Sequence, residues 1–321
     1  MNKNTIIFAL SANVEMAKTI AEDLNIPLGE SEVVHFADGE IIVENMTTVR
    51  GKSVYIIQST CNPVTERLME LLVFMDGLKR ASAKEINVVM PYYGYARQDR
   101  KAKAREPITA RLVADMLKVA GADRVIVTDL HAPQIQGFFT CPVDDLSAVP
   151  IFADYFRKTL KGKDIVVVSP DHGGVTRARK LATFLNDAPI AIIDKRRPRP
   201  NVAQVMNIIG DVKGKIAIMV DDIVDTAGTL VIGAQAIKDA GAEQVYAAVS
   251  HGILSGPAIE RVKNSCLESL VITDSIPLPK EKQINKITVL TIAPMIAKVI
   301  DYIDKGISLS IVHDMYHKNK Y

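Results

Sequence analysis

The sequence predicts an α/β protein of two similar domains, each a mostly parallel sheet flanked by helices. Three observations carry this expectation. Short β-branched runs alternate with stretches of helical periodicity, the pattern of parallel strands covered by helices. The strand candidates are apolar throughout rather than alternating, as strands buried on both faces are. An internal echo suggests two related βαβ halves. Ile86–Met90 leads through a helical stretch to Gly121-Ala122-Asp123-Arg124-Val125 and His131; Ile216–Val220 leads likewise to Gly241-Ala242-Glu243-Gln244-Val245 and His251, with the same offset from Gly to His. A chain of 321 residues also suits two domains at about 150 residues each.

In chain order, Ile6–Leu10 is an unbroken apolar run, hence a strand, and Asn13–Leu24 places Met16, Ile20 and Leu24 on one helical face. Val54–Ser59 is a strand by its β-branched and aromatic content; Val64–Lys79 is a helix carrying Leu68, Leu71, Met75 and Leu78. Ile86–Met90 and Val125–Asp129 are strands around a helix at Ile108–Val119, and Gly121 stands where glycine ends a helix. In the second half Ile165–Ser169, Ala191–Asp194, Ile216–Val220, Val245–Ser250 and Leu270–Thr273 read as strands, with helices at Val175–Leu185 and Thr229–Asp239. The boundary falls near Leu146–Val149. It gives domains at 1–146 and 147–303, a tail at 304–321, and a ligand site expected between the halves.

Lys and Arg number 39 against 37 Asp and Glu, a net +2, so neither a nucleic-acid coat nor an anionic membrane surface is the expected partner. Cys61, Cys141 and Cys266 are odd in number and far apart, which signals neither a disulfide framework nor a zinc knuckle. The N-terminal apolar run is too short for a secretory core and no stretch approaches a membrane span, so a cytoplasmic protein is expected.

The strongest local signal is Val220-Asp221-Asp222-Ile223-Val224-Asp225-Thr226-Ala227-Gly228-Thr229. An apolar strand ends in two carboxylates, passes a third and enters a loop of small and hydroxylic residues before a helix. Loop N–H groups, hydroxyls and the helix N-terminus suit a phosphate, and Asp221 and Asp222 suit the hydroxyls of a ribose. Elsewhere the residues alone leave more than one reading. Arg97–Arg105 is a basic stretch that fits a solvated loop, a nucleic-acid patch or a phosphate ligand. Asp38-Gly39 by itself is a turn, and a lone His131 at a strand end is more often structural.

The decapeptide resembles the ribose-5-phosphate and pyrophosphate loop of phosphoribosyltransferases. In order along the chain come Phe36-Ala37-Asp38-Gly39-Glu40, Pro91–Arg100, Asp129-Leu130-His131, Ser169-Pro170-Asp171-His172-Gly173-Gly174 and Asp194–Pro200. Together they resemble the ribose-phosphate pyrophosphokinase (PRPP synthase) family, in its phosphate-activated class, over nearly the whole chain. The resemblance implies two phosphoribosyltransferase-like domains, and synthesis of phosphoribosyl pyrophosphate and AMP from ATP and ribose 5-phosphate with Mg²⁺. It assigns Asp38, Glu40, Arg97, Gln98 and His131 to ATP, and His131 and Asp171 to the metal. Lys195 and Arg197 become catalytic, in a Pro-stiffened segment with four positive charges from Lys195 to Arg199. Ribose 5-phosphate falls to Arg197, Asp221, Asp222, Asp225, Thr226, Ala227, Gly228 and Thr229.

The resemblance further implies a homohexamer and an allosteric site for phosphate and ADP that includes Arg50, Ser82, Ser308 and Ser310. His313 stands where the family's tail usually carries an aromatic residue. Two other readings remain: a phosphoribosyltransferase that uses phosphoribosyl pyrophosphate, which leaves the ATP-type motifs unexplained, and a catalytically silent regulatory subunit, which would be expected to have lost catalytic segments.

Overall fold

The computed structural model of the chain describes residues 4–196 and 205–310. Contacts divide it into two units. The first runs to Ser147 and adds Ser275–Pro277 and the segment from Thr291; the second holds Ala148–Asp274 and Leu278–Leu290.

In the first unit, β1 (Thr5–Ala9), α1 (Val14–Leu24) and the short β2 (Leu28–Gly29) precede a hairpin of β3 (Ser31–His35) and β4 (Ile41–Asn45). Then come β5 (Ser53–Ile57), α2 (Val64–Arg80), β6 (Glu85–Met90), α3 (Thr109–Ala120), β7 (Arg124–Thr128) and β8 (Val143–Leu146). The sheet order is β2-β1-β5-β6-β7-β8, parallel throughout, with β3–β4 a separate antiparallel pair. Phe8, Ile56, Val88 and Val125 line its core with Leu71, Phe74 and Leu117 from the helices.

The second unit contains α4 (Val149–Thr159), β9 (Ile165–Ser169), α5 (Val175–Phe184), β10 (Ile190–Arg196), β11 (Val205–Ile209), β12 (Ile216–Val224), α6 (Gly228–Asp239), β13 (Gln244–Gly252), α7 (Ala258–Lys263), β14 (Ser269–Thr273) and β15 (Ile287–Leu290). Its sheet order is β11-β10-β9-β12-β13-β14-β15, with only β10–β11 antiparallel. The last helix, α8 (Ala293–Asp304), belongs to the first unit.

The two sheets share one winding. Matched by position, β1, β5, β6, β7 and β8 correspond to β9, β12, β13, β14 and β15. The internal echo is therefore real as a duplication but wrong in register. It set β6 against β12, whereas β12 occupies the place of β5. The shared Gly-to-strand signal comes from helix ends that turn through a left-handed glycine, Gly121 at φ 115° and Gly241 at φ 97°. His251 lies buried inside β13, while His131 is exposed beyond β7.

Two further differences from the sequence reading have physical causes. The strand expected to stop at Val220 continues to Val224, because β13 supplies parallel partners for Asp221, Ile223 and Val224. The expected second domain, 147–303, also loses α8. This helix packs on α1, and its Asp304 accepts hydrogen bonds from Thr5 Oγ1 and from Tyr55 Oη at 3.1 Å. Burial and Asp304 together push the Tyr55 phenol well above its usual pKa. In the same way α4, which follows β8, packs on α5. Each unit is completed by the helix that follows the other's last strand.

Candidate active site

In the second unit β10, β9 and β12 are neighbouring parallel strands, so the segments beyond them share one sheet edge, where open α/β sheets hold ligands. After β9, Ser169 Oγ donates to the Asp171 carbonyl at 2.6 Å, and Asp171 Oδ1 accepts the Gly174 N–H at 3.0 Å. A Cβ at Gly174 would sit 2.8 Å from Ser169 Oγ, so a larger residue here would displace that hydroxyl from the turn. Asp171 is exposed, and a carboxylate engaged through one oxygen keeps acceptor capacity on the other.

Asp221 and Asp222 lie near the end of β12, three and two residues before its last residue Val224. Asp221 Oδ1 accepts the Asp222 N–H at 2.9 Å, and Arg177 Nη1 on α5 lies 3.5 Å from Asp221 Oδ1 and 3.3 Å from Asp222 Oδ1. Burial and the adjacent Asp222 raise the Asp221 carboxyl from 3.8 to about 7, against the opposing pull of Arg177. Here is a pair of carboxylates that does not ionise independently near neutrality.

Beyond Val224 the chain turns through Asp225, Thr226 and Ala227 into α6. Ala227 is buried and held at φ 58°, a left-handed geometry that costs a non-glycine residue about 1–2 kcal/mol. Its neighbours hold it there: Arg261 Nη1 donates to the Thr226 carbonyl at 2.8 Å, and the Ser255 N–H to the Asp225 carbonyl at 2.9 Å. The exposed Thr226 and Thr229 flank this turn, and the first N–H groups of α6 are unclaimed by its own ladder. On β10 the Lys195 backbone pairs with Met206 of β11, and Asp194 lies 3.4 Å from His172 Nε2. Arg197, Arg199 and His313 lie outside the described residues.

In the first unit the residues sort into three groups. β6 and β7 are adjacent, and the loops beyond them meet where Gln134 Nε2 donates to Asp99 Oδ2 at 3.2 Å. This brings the segment of Arg97 and Gln98 beside that of His131, all three exposed. Ser59 Oγ and Thr60 Oγ1 accept the Tyr92 and Gly94 N–H groups at 3.0 and 2.7 Å and bracket the start of that loop. Gln98 is held by Thr109, whose hydroxyl donates to Oε1 at 2.5 Å. Asp38 and Glu40 form the second group, at the exposed β3–β4 turn, where Asp38 Oδ1 accepts the Glu40 N–H at 3.0 Å and Gly39 takes φ 93°. The third group is the set expected from the sequence to form an allosteric site. Arg50 Nη1 donates to Ser82 Oγ at 3.1 Å, and Ser308 Oγ meets Ser310 Oγ at 2.8 Å.

One family model, described as the N-terminal domain of ribose phosphate pyrophosphokinase, matches residues 5–121, and another, the phosphoribosyl synthetase-associated domain, matches residues 164–314. The chain is 59% identical over 308 residues to the ribose-phosphate pyrophosphokinase of Bacillus caldolyticus, covering 96% of this chain and 97% of the relative. It is 62% identical over 304 residues to that of Caldanaerobacter subterraneus subsp. tengcongensis, covering 95% and 96%.

The chain belongs to the ribose-phosphate pyrophosphokinase family.

The crystal structure of phosphoribosylpyrophosphate synthetase from Mycobacterium smegmatis agrees with the fold at a TM-score of 0.90 and 41% identity, covering 95% of this chain and 100% of that one. Within the family frame, Arg177 and Arg261 are the residues that sequence reasoning missed. Both sit inside helices, where an arginine normally signals only a solvated face, and no spacing rule links them to carboxylates or carbonyls 35 or more positions away.

Among the described residues no group of three His, Cys, Asp or Glu side chains is poised to hold a metal. Mg²⁺ in phosphoryl-transfer sites needs only one or two carboxylates, with substrate phosphates and waters completing its shell. The exposed Asp171, oriented by Gly174, fits that demand. The imidazole of His131 is a softer donor and suits a phosphate oxygen or a metal-bound water better.

Proposed function

We propose that this chain transfers the β,γ-diphosphoryl group of ATP to the C1 hydroxyl of ribose 5-phosphate, giving phosphoribosyl pyrophosphate and AMP for nucleotide biosynthesis in the cytoplasm. The observation that carries the reading is the end of β12. Two carboxylates suited to a ribose diol run directly into a hydroxylic turn at a helix N-terminus, suited to a phosphate, on a chain of this family. In the reaction the C1 oxygen attacks the β-phosphorus, its bond to phosphorus forms, the bond to the α,β-bridging oxygen breaks, and the hydroxyl proton is lost. Such transfers are catalysed by positioning and charge stabilisation.

Asp221 and Asp222 accept the sugar hydroxyls, while Asp225–Thr229 hold the 5-phosphate through N–H groups and the two threonine hydroxyls. Arg97 and Gln98 bind ATP with Asp38 and Glu40, a guanidinium serving the phosphates or stacking on the base and amide and carboxylate groups reading polar edges. His131 acts on the polyphosphate. Lys195 and Arg197 bring positive charge to the transferring group, where it stabilises the transition state more than the ground state. Mg²⁺, held by Asp171, would neutralise and orient the phosphates, with His131 serving a phosphate oxygen or a metal-bound water. Arg50, Ser82, Ser308 and Ser310 contribute to a site at which phosphate activates and ADP competes, in a homohexamer.

The test is AMP formation from ATP, measured with and without ribose 5-phosphate and Mg²⁺. AMP that depends on both supports the reading. Consumption of phosphoribosyl pyrophosphate with a nucleobase, and no AMP from ATP, would assign a phosphoribosyltransferase instead. Inactivity in both assays would assign a silent subunit.

A further inference from the structure

The side chains of neighbouring residues on a strand point to opposite faces, so two consecutive aspartates should not present their carboxylates together. At the end of β12 they do converge: one nitrogen, Arg177 Nη1, lies 3.3 Å from Asp222 Oδ1 and 3.5 Å from Asp221 Oδ1, and the Asp221 oxygen that faces it also accepts the Asp222 N–H. Arg177 is 18% exposed and Asp222 8%, whereas Asp221 keeps 35% of its surface open. The guanidinium is thus largely shielded from water behind the pair, and the pair retains an open side.

Among the described residues, β9, β13 and the start of α6 carry no lysine or arginine at this end of β12. In β13, Val249 stands opposite Asp221 and the buried His251 opposite Ile223. β9 ends at Ser169, with the carboxylate of Asp171 following, and α6 opens with uncharged Gly228-Thr229-Leu230-Val231. Two carboxylates side by side repel, and removing a cation that lies close to both leaves more of that repulsion uncompensated.

We propose that Arg177 is the positioning residue of the ribose 5-phosphate site, its guanidinium gathering Asp221 and Asp222 into one acceptor pair for the vicinal hydroxyls of the sugar. The inference rests on the reading of β12 as the sugar site. Arg177 touches neither substrate in this account; it acts through the two aspartates. Because it also favours the charged form of Asp221, its loss shifts the ionisation of that carboxyl upward in pH, which an arginine remote from the pair would not do.

The experiment measures kcat and KM for ribose 5-phosphate and for ATP between pH 6 and 9 in the full-length protein, with Arg177→Met and Arg177→Lys. Arg177→Met is expected to raise KM for ribose 5-phosphate about tenfold or more and to move the acid limb of kcat/KM for the sugar up by about one pH unit. KM for ATP is expected to stay within about twofold. Arg177→Lys keeps the charge but not the forked geometry, so the limb returns to its wild-type place while KM for the sugar stays raised.

An unchanged limb and unchanged sugar KM in Arg177→Met overturn the inference, as does equal loss for both substrates with no rescue by lysine. Should the Met variant fail to fold, the Lys variant decides alone: a wild-type KM for ribose 5-phosphate overturns the proposal. A wild-type protein that forms no AMP from ATP and ribose 5-phosphate would instead refute the functional reading itself.

Discussion

Replacing Asp221 by Asn should make the protein more stable, and only above mildly acidic pH. The native structure raises this carboxyl from 3.8 to about 7 through burial and the neighbouring Asp222, so the folded state binds its proton more tightly than the unfolded chain does. Stability contributed by that proton is complete below about pH 4 and is lost as pH rises through 7. Three pKa units correspond to about 4 kcal/mol at 1.36 kcal/mol per unit. Asp221 is 35% exposed, however, and solvent screening leaves about 1–2 kcal/mol. Asn removes the charge that must be confined at neutral pH and leaves Asp222 paired with Arg177. Thermal melting at pH 5 and pH 8 is the assay: Tm should rise by about 2–8 °C at pH 8, with a clearly smaller gain at pH 5. The variant should at the same time lose affinity for ribose 5-phosphate, the trade expected where a site holds destabilised charge for function. An equal shift at both pH values, or a lower Tm at pH 8, would refute the argument.

Substitutions at four other positions have definite expected outcomes. Asp304→Ala removes the acceptor of the Tyr55 and Thr5 hydroxyls and leaves a buried phenol unpaired, so urea unfolding should show a loss of about 1–3 kcal/mol; Asp304→Asn, which keeps an acceptor, should recover part of it. Gly94→Ala sets a Cβ 2.5 Å from the Thr60 carbonyl oxygen, which should cost about 1–3 kcal/mol and raise KM for ATP. Gly77→Ala, in α2 with open space around it, should instead stabilise by about 0.5–1 kcal/mol; the same denaturation curves check both signs. Lys195→Ala should lower kcat by about two orders of magnitude or more with modest change in KM, as expected for a group that acts on the transition state; steady-state AMP release reads it, and an unchanged kcat would remove Lys195 from the mechanism.

Periodicity made the buried parallel strands and their covering helices legible because nothing competes with burial there. Val54, Ile56, Val88, Val125, Val167 and Ile218 are fully buried or nearly so, and their runs are plain in the sequence. The last turn of β12 was not legible. Aspartate is a poor strand former, so the sequence pattern ends the run at Val220, yet pairing with β13 carries it on and places Asp221 and Asp222 on the strand itself. The membership of α8 was equally hidden, since its apolar face fits any helix-covered sheet and the Asp304 contacts that choose the first unit span 249 positions and more. Of the site, the motifs point to the side chains proposed to do the chemistry, because those residue types are unusual at strand ends. The residues that hold them in place, Arg177, Arg261, Ser59 and Thr60, look like ordinary surface or strand residues until the fold brings their partners near.

The central claim is that both terminal phosphoryl groups of ATP move together onto the sugar, and ATP labelled at its β-phosphorus tests it directly. Incubated with ribose 5-phosphate and Mg²⁺, the protein is predicted to release unlabelled AMP and to carry the whole label into the pyrophosphate of a 1-substituted ribose 5-phosphate. Label recovered as ADP, or left in a nucleotide product, would contradict the account.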